Sequence, residues 1–216
     1  MQWTEKYRPM HLDEVVGNKE VIEELKQYVK LNANDLPNLL FYGPPGVGKT
    51  STALAFCRDG GYYANDINSA MLNGKDDMDQ FVHRLSRIGS GLQNFETNDD
   101  GTGGTEGYIL IFDKAEMLTK QAQNVLEKVL ESRNDTKAIF IANEVEKFTD
   151  PMKSRFTSFE FKYLEAEEIR QLLLTIARKE KMEISQSELD DIIKDAEGIA
   201  RDAVNALNKY WILNRK

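Results

Sequence analysis

The segment that most constrains this chain is a glycine-rich octapeptide between a short apolar run and a helix-like stretch. It reads Gly43-Pro44-Pro45-Gly46-Val47-Gly48-Lys49-Thr50 and fits G-x-x-x-x-G-K-[ST] at every position. The apolar run 38–42 precedes it, and a helix is predicted to open at about 49–57. Backbone N–H groups in such a turn surround phosphate oxygens, and the helix N-terminus adds positive potential. The sequence therefore predicts a strand–turn–helix phosphate site.

The end of this motif and one later aspartate predict how a nucleotide and its metal are held. Lys49 is expected to meet the outer phosphates as a point charge, and the Thr50 hydroxyl to ligate magnesium. We extend the nucleotide-binding segment by one residue, to Ser51. A second strand must supply a carboxylate for the magnesium shell, and the apolar run 108–112 ends in Asp113. We therefore predict that the chain binds ATP and Mg²⁺, with Thr50 and Asp113 towards the metal.

Strand-like and helix-like stretches alternate over the first 160 residues. Short apolar runs predict strands at 38–42, 62–64, 108–112 and 138–142. Helical spacing of apolar residues predicts helices at 19–31 and 118–130, the second with Thr119 as its N-cap. This alternation predicts an α/β fold with a mainly parallel sheet covered on both faces.

From about Glu165 onwards the apolar spacing is wholly helical and predicts about three helices. We therefore expect two domains, an α/β domain over 1–160 and a small helical domain over 161–216. Residues 89–107 are rich in glycine and poor in apolar side chains, which predicts a loop. That loop is either a tolerated surface insertion or a dedicated binding loop.

Composition excludes several classes of protein. Lysine and arginine total 28 against 36 acidic residues, and the net charge of −8 argues against a chain-wide grip on nucleic acid. Contact with DNA would then need a local patch or an assembly. The single cysteine, Cys57, excludes an internal disulfide and a cysteine-rich zinc site. The sequence has neither a membrane-length apolar run nor a signal-like start, so we expect an intracellular protein with no membrane partner.

Further motifs, in order along the chain, resemble those of one family. They lie at residues 3–9 (WTEKYRP), 12–17 (LDEVVG), 142–143 (AN), 154–156 (SRF) and 198–205 (GIARDAVN). With the phosphate loop, they resemble the AAA+ ATPases and, more closely, the small subunits of replication factor C, the sliding-clamp loader. The similarity covers nearly the whole chain.

The resemblance implies roles for particular residues. The opening segment is expected to pack round the adenine through Tyr7, Arg8, Pro9 and Val16. Asn143 matches the sensor-1 position, where a polar side chain aligns the attacking water. Arg155 matches an arginine that reaches a neighbouring subunit's γ-phosphate. Arg201, on the sensor-2 helix, is expected near the chain's own nucleotide.

The resemblance also implies a fold and a function. The fold is a P-loop AAA+ core with a mainly parallel five-stranded sheet between helices, followed by a small helical lid domain. The function is that of an ATP-binding subunit of a hetero- or homo-oligomeric ring, which opens a sliding clamp and loads it on primer–template DNA. Two alternatives stay open: a non-hydrolysing structural subunit that supplies Arg155 in trans, and another AAA+ machine for branch migration or protein remodelling.

The sequence departs from the family pattern in its active-site strand. Where the family has D-E-A-D, this chain has Asp113-Lys114-Ala115-Glu116. Lys114 replaces the glutamate that polarises water, and a protonated lysine cannot act as a base. Glu116 is a substitute carboxylate, but two positions along the turn we expect it to point elsewhere. The pattern therefore predicts nucleotide binding with slow hydrolysis.

Other departures concern neighbours and DNA. Phe156 replaces the cysteine of the family's S-R-C motif. The family's N-A-S-D-E-R-G, which follows the second strand, is matched only by the fragment 64–66 (AND). Lys75, Arg84 and Arg87 are alternative DNA-backbone contacts, or else charges on a solvated helix face. The resemblance also implies a C-terminal collar domain, which we expect this chain to lack, either as a fragment or as an unusually short member of the family.

Overall fold

One five-stranded, all-parallel sheet organises the chain. The computed structural model describes residues 2–32, 34–72, 74–88, 107–132 and 136–214, without the side chains of residues 75 and 84–88. The strands are β1 (Asn38–Tyr42), β2 (Tyr63–Asn68), β3 (Tyr108–Asp113), β4 (Thr136–Ala142) and β5 (Phe156–Glu160). They lie in the order β2-β3-β4-β1-β5, and every pairing is parallel. The predicted α/β class and five-stranded parallel sheet are confirmed.

Along the chain, helices precede the first strand, connect the strands and follow the last one. In the described part of the chain they are α1 (Trp3–Lys6), α2 (Lys19–Tyr28), α3 (Lys49–Asp59), α4 (Lys75–Ile88), α5 (Lys120–Glu131), α6 (Asp150–Lys153), α7 (Ala166–Lys179), α8 (Gln186–Asp195) and α9 (Ala200–Asn214). Thr119 caps α5 as predicted, because its side chain accepts a hydrogen bond from the backbone N–H of Ala122. Within these described helices, none has both the length and the apolar character needed to cross a membrane.

Alternate residues of each central strand enter two separate cores. In β1, Leu39 and Phe41 pack on the face that also contacts α2, α3 and α7–α9, whereas Leu40 packs on the opposite face with α4 and α5. Successive side chains of a strand point to opposite faces, so both faces of this sheet are buried. That arrangement explains why the central strands read as continuous apolar runs.

The three C-terminal helices pack on the same face as the N-terminal helix. Trp3 of α1 is buried, and its ring lies 5.4 Å from that of Trp211 in α9. The three predicted helices are confirmed, while a domain boundary at residue 160 stays a prediction. The N-terminal segment thus reaches across to the helical part of the chain.

Some predicted boundaries were wrong. The helix predicted at 19–31 ends at Tyr28, where two tight turns follow, with N–H groups of Lys30 and Leu31 bonding three residues back. The strand predicted at 62–64 runs from Tyr63 to Asn68, because its polar residues still pair with β3. The apolar runs did not predict β5, because it is an edge strand in which only Phe159 is buried. The predicted loop lies outside the described residues from 89 to 106.

Candidate nucleotide site

The glycine-rich turn packs closely against Phe161 and Ile199, which follow β5 in the chain. No side chain fits at Gly43 or Gly46. Gly43 has φ +134°, and a Cβ there would collide with the carbonyl oxygen of Phe161. Gly46 has φ +78°, and a Cβ there would lie 2.6 Å from Cγ2 of Ile199. Both positions therefore require glycine, for backbone conformation as well as for space. The resulting turn leads directly into α3, as the motif predicted.

Lys49 is buried at the start of α3. Its side chain is folded under the turn, where Nζ donates hydrogen bonds to the carbonyl oxygens of Gly43 and Pro44, both at 2.7 Å. Burial lowers the pKa of Lys49 to about 8, although the nearby charges of Glu116 and Asp113 act in the opposite direction. A desolvated ammonium held by neutral carbonyl oxygens is expected to bind an anion favourably. The charged oxygens of the anion are stronger hydrogen-bond acceptors than the carbonyl oxygens that they replace.

Thr50 and Asp113 bring two hard oxygen ligands together. The Thr50 hydroxyl donates to Oδ2 of Asp113 across 3.4 Å, and Oδ1 of Asp113 accepts from the backbone N–H of Lys114 at 2.8 Å. Mg²⁺ usually takes one or two carboxylates together with substrate phosphates and water. Among the described residues no cluster of three or more metal-binding side chains occurs. A threonine hydroxyl beside one carboxylate fits a magnesium ion that shares its shell with phosphate.

Asn143, just beyond β4, links the lysine to a second carboxylate. Its Oδ1 accepts from Nζ of Lys49 at 3.2 Å, and its Nδ2 donates to Oε1 of Glu116 at 2.8 Å. The expectation that Glu116 points elsewhere was therefore wrong. Lys114 adopts a left-handed conformation (φ 54°, ψ 43°), and the single 3₁₀ turn that follows, Ala115–Met117, carries Glu116 back towards the site.

These groups line one cavity of about 460 Å³. Most of the predicted site residues line it: Tyr7, Arg8, Pro9, Val16, Pro45, Gly46, Val47, Gly48, Lys49, Thr50, Ser51, Asp113, Asn143 and Arg201. Gly43 and Pro44 contribute their carbonyl oxygens to Lys49 instead. Lys114 and Glu116 also face the cavity. The structure therefore brings together residues that are far apart in sequence.

A further part of the cavity lining comes from the N-terminal segment, α7 and α9. The Tyr7 hydroxyl donates to the Glu180 carboxylate, which also pairs with Lys6. The backbone N–H of Arg201 donates to the carbonyl oxygen of Gly46 at 3.1 Å, so α9 contacts the phosphate loop directly. Leu172 and Val204 line the cavity but were not predicted as site residues, because their helical spacing indicates only packing.

Arg155 lies elsewhere. It is not among the residues lining the cavity, and its guanidinium is held by two carboxylates of α5. Nε donates to Oε1 of Glu127 at 2.9 Å, and Nη1 pairs with Glu131. The Arg155 side chain is 43% exposed, so part of it remains open to solvent.

The position of the motif fragment 64–66 needs a correction. Residues 64–66 do not follow β2 but lie inside it, paired with β3. The strand ends at Asn68, opposite Asp113, and the Asn68 side chain accepts from the backbone N–H of Ala70 at 3.1 Å. The side chains of Lys75, Arg84 and Arg87 lie outside the described part of the chain, so their contact with DNA stays a prediction.

Comparison with known proteins gives consistent results. Residues 39–164 match the family described as "ATPase family associated with various cellular activities (AAA)". The chain is 36% identical over 209 residues to the replication factor C small subunit of Methanosarcina barkeri, covering 95% of this chain and 60% of that protein. It is 38% identical over 214 residues to replication factor C subunit 4 of Caenorhabditis elegans, covering 96% and 62%. This chain thus spans about three fifths of the length of these relatives.

Solved structures agree with the fold. The Holliday junction branch migration motor RuvB of Thermotoga maritima superposes with a TM-score of 0.76 at 21% identity, covering 94% of this chain and 64% of that one. At that identity the likeness concerns the fold alone. The sheet, the glycine-rich turn and the family match over 39–164 together show that this chain belongs to the AAA family of ATPases.

Proposed function

We propose that this chain binds Mg-ATP as the nucleotide-binding module of a clamp-loader assembly. The observation that carries the proposal is the group formed by Lys49, Thr50, Asp113 and Asn143 at one end of a cavity of about 460 Å³. An ammonium, two magnesium-type oxygens and a polar side chain are the groups that phosphoryl-transfer sites require.

The roles follow from position and charge. Lys49 would exchange its carbonyl partners for phosphate oxygens, and backbone N–H groups of the glycine-rich turn would hold the same phosphates. Thr50 and Asp113 would hold Mg²⁺, which supplies charge neutralisation at the transferring phosphate. Arg201 faces the same cavity from α9 and would add a positive charge. Tyr7, Arg8, Pro9 and Val16 would surround the base.

The clamp-loader assignment rests on the relatives. Proteins named replication factor C small subunit and subunit 4 match nearly the whole of this chain. Within a ring of such subunits, ATP binding would prepare the assembly to open a sliding clamp and hold primer–template DNA, and hydrolysis would release both. Arg155, held at the surface and outside the chain's own cavity, supports a role at a neighbouring subunit's nucleotide.

A second candidate is a subunit that binds nucleotide but hardly hydrolyses it. Lys114 favours this candidate, because an exposed lysine lines the cavity where the family has a glutamate. We propose that hydrolysis here is slow. The likeness to a branch migration motor concerns the fold alone and does not favour that activity.

Titration of Mg-ATP into the wild-type protein and a Lys49→Ala variant tests the binding site. One charge-assisted hydrogen bond contributes about 1.5–3 kcal/mol, so we expect affinity to fall by at least roughly tenfold. Because Lys49 should bond to more than one phosphate oxygen, we expect binding to become undetectable. Lys194→Ala, which removes an exposed lysine of α8, is the matched control and should bind normally. Equal affinity in wild type and Lys49→Ala would refute the site.

The assembly requires its own experiment. The full-length protein, combined with its partner subunits, should bind a sliding clamp in the presence of ATP and lose that binding in Lys49→Ala. An assembly that binds ATP but never retains a clamp would contradict the clamp-loader assignment while leaving the nucleotide site intact.

A further inference from the structure

We propose that Glu116 is a positioning residue, which orients the Asn143 amide so that its oxygen faces the phosphate site as a hydrogen-bond acceptor. The inference deepens the proposed function and rests on it. It assigns a part in hydrolysis to a carboxylate that lies two residues beyond the position where the family has its glutamate.

Chemistry allows only one orientation of the Asn143 side chain. An ionised carboxylate only accepts hydrogen bonds, and an ammonium only donates them. Asn143 lies between the Glu116 carboxylate, 2.8 Å from Nδ2, and the Lys49 ammonium, 3.2 Å from Oδ1. Rotating the amide by half a turn would place two acceptors together and two donors together. Glu116 and Lys49 together determine this orientation, and Glu116 alone would keep it once Lys49 bonds to phosphate.

An acceptor at this place has a specific use in hydrolysis. When Lys49 moves to phosphate oxygens, Oδ1 of Asn143 becomes available to a water molecule beside them. A water that donates a hydrogen bond to Oδ1 turns its lone pair away from Asn143, towards the phosphorus. Lys114 cannot provide this acceptor, since an ammonium has no lone pair. Asn143, oriented by Glu116, thus supplies an acceptor for the water that Lys114 does not.

The second carboxylate oxygen of Glu116, Oε2, does not share the hydrogen bond to Asn143. Oε2 is buried and has no hydrogen-bond partner among the described residues. An unpaired buried carboxylate oxygen carries a desolvation cost. The Lys49 ammonium, joined to Glu116 through Asn143, is a nearby positive charge that offsets part of this cost. Position 116 is therefore coupled to the phosphate-binding lysine and not only to its own turn.

A pair of reciprocal substitutions tests the orientation. Glu116→Gln keeps the shape of the side chain but lets it donate, so the amide of Asn143 is free to turn over. Asn143→Asp places a second carboxylate against Glu116. The combination of Glu116→Gln with Asn143→Asp restores a donor facing an acceptor and again leaves an oxygen towards Lys49. Glu183→Gln, which removes an exposed carboxylate before α8, is the matched control.

Mg-ATP affinity and steady-state turnover are measured for all variants in the reconstituted assembly. We expect each single variant to lose at least about tenfold in kcat, a larger factor than it loses in affinity for ATP, and the double variant to regain most of the loss in kcat. A double variant as slow as the slower single variant would show that the pair only supports the turn, and would overturn the inference. Normal turnover in Glu116→Gln would also overturn it.

A second readout does not depend on turnover. In the nucleotide-free protein, the Asn143 side-chain amide protons should give one hydrogen-bonded NMR signal pair, which Glu116→Gln shifts or broadens and Glu183→Gln leaves unchanged. An unshifted pair in Glu116→Gln would overturn the inference. Wild-type assembly that binds ATP without any turnover would overturn it too, whereas wild-type protein that does not bind ATP would refute the proposed function itself.

Discussion

Two arginines of this chain lie in opposite environments. Arg201 lines the nucleotide cavity, its backbone N–H bonds to Gly46 of the phosphate loop, and its charge adds to burial in lowering the pKa of Lys49. Arg155 lies outside the cavity and is paired with Glu127 and Glu131 on the chain's own α5. One arginine is built into the site, and the other is presented on the surface.

This difference suggests which steps the chain can complete alone. The glycine-rich turn, Thr50, Asp113 and Arg201 all line one cavity, so we expect nucleotide binding to need no partner. Phosphoryl transfer commonly needs a further arginine that stabilises charge developing in the transition state. Arg155 is the candidate for that charge, but on a neighbour's nucleotide. We therefore expect the isolated chain to bind nucleotide and the assembly to hydrolyse it.

Removing Arg155 is the strongest test of this separation. In the assembly, Arg155→Ala should slow hydrolysis at the neighbouring site by about 10³–10⁵, the range for an arginine supplied in trans. The ATP affinity of the chain that carries the substitution should stay the same, because the Arg155 side chain does not line that chain's cavity. Turnover at each site, assigned by combining variant and wild-type subunits, measures the first effect, and calorimetry measures the second.

Arg178→Ala removes an exposed arginine of α7 and serves as the control for Arg155→Ala. A loss of ATP affinity in isolated Arg155→Ala protein would show that Arg155 supports its own chain's site. The separation of roles between Arg155 and Arg201 would then be wrong.

The sequence predicted the central sheet because its physical signals are local. Strands β1, β3 and β4 are buried on both faces and therefore read as unbroken apolar runs. The phosphate loop was predictable for a similar reason, since Gly43 and Gly46 adopt backbone conformations that favour glycine. Strand β5 was missed, because an edge strand with one buried side chain has no such run.

The parts of the site that the sequence did not predict depend on one uncommon backbone conformation and on a contact between residues far apart in sequence. The direction of Glu116 depends on the left-handed conformation of Lys114, an uncommon one for a residue with a side chain. The pairing of Arg155 with α5 joins residues 28 positions apart. Neither a left-handed lysine nor a distant ion pair leaves a periodic signal in the sequence.

The next test concerns Lys114, which lines the same cavity as Arg201. Lys114→Glu should raise turnover at this site at least about tenfold in the assembly, because it restores a carboxylate that can accept a proton from water. ATP affinity should change much less than turnover. The measurement is phosphate release under saturating ATP, with Lys120→Glu, on the exposed start of α5, as the matched charge reversal. A fall in turnover would show that Lys114 itself takes part in the reaction.

The buried lysine predicts a pH dependence for nucleotide binding. The pKa of Lys49 is about 8 in the free protein, lowered by burial, and phosphate oxygens would raise it on binding. Below pH 8 the lysine is already protonated, so affinity should be flat. Above pH 8 binding must take up a proton, and affinity should fall by up to about tenfold per pH unit. Calorimetry from about pH 7 to 9.5 in buffers of different ionisation enthalpy measures both quantities. Affinity that is flat over this range, without proton uptake, would contradict the prediction.

The smallest expected effect concerns the carboxylates that hold Arg155. Reaching a neighbour's phosphate requires the guanidinium to leave Glu127 and Glu131, so these pairs compete with the trans role. Pairs exposed to this degree contribute about 0.2–1 kcal/mol, which limits the effect to roughly fivefold. Glu127→Gln should therefore raise hydrolysis at the neighbouring site by a few-fold at low salt, and the gain should shrink at high salt as the remaining charges are screened. Glu24→Gln, on the exposed face of α2, is the control. A slower neighbouring site in Glu127→Gln would mean that Glu127 aims Arg155 instead of restraining it, and the arginine would then be prepositioned by its own chain.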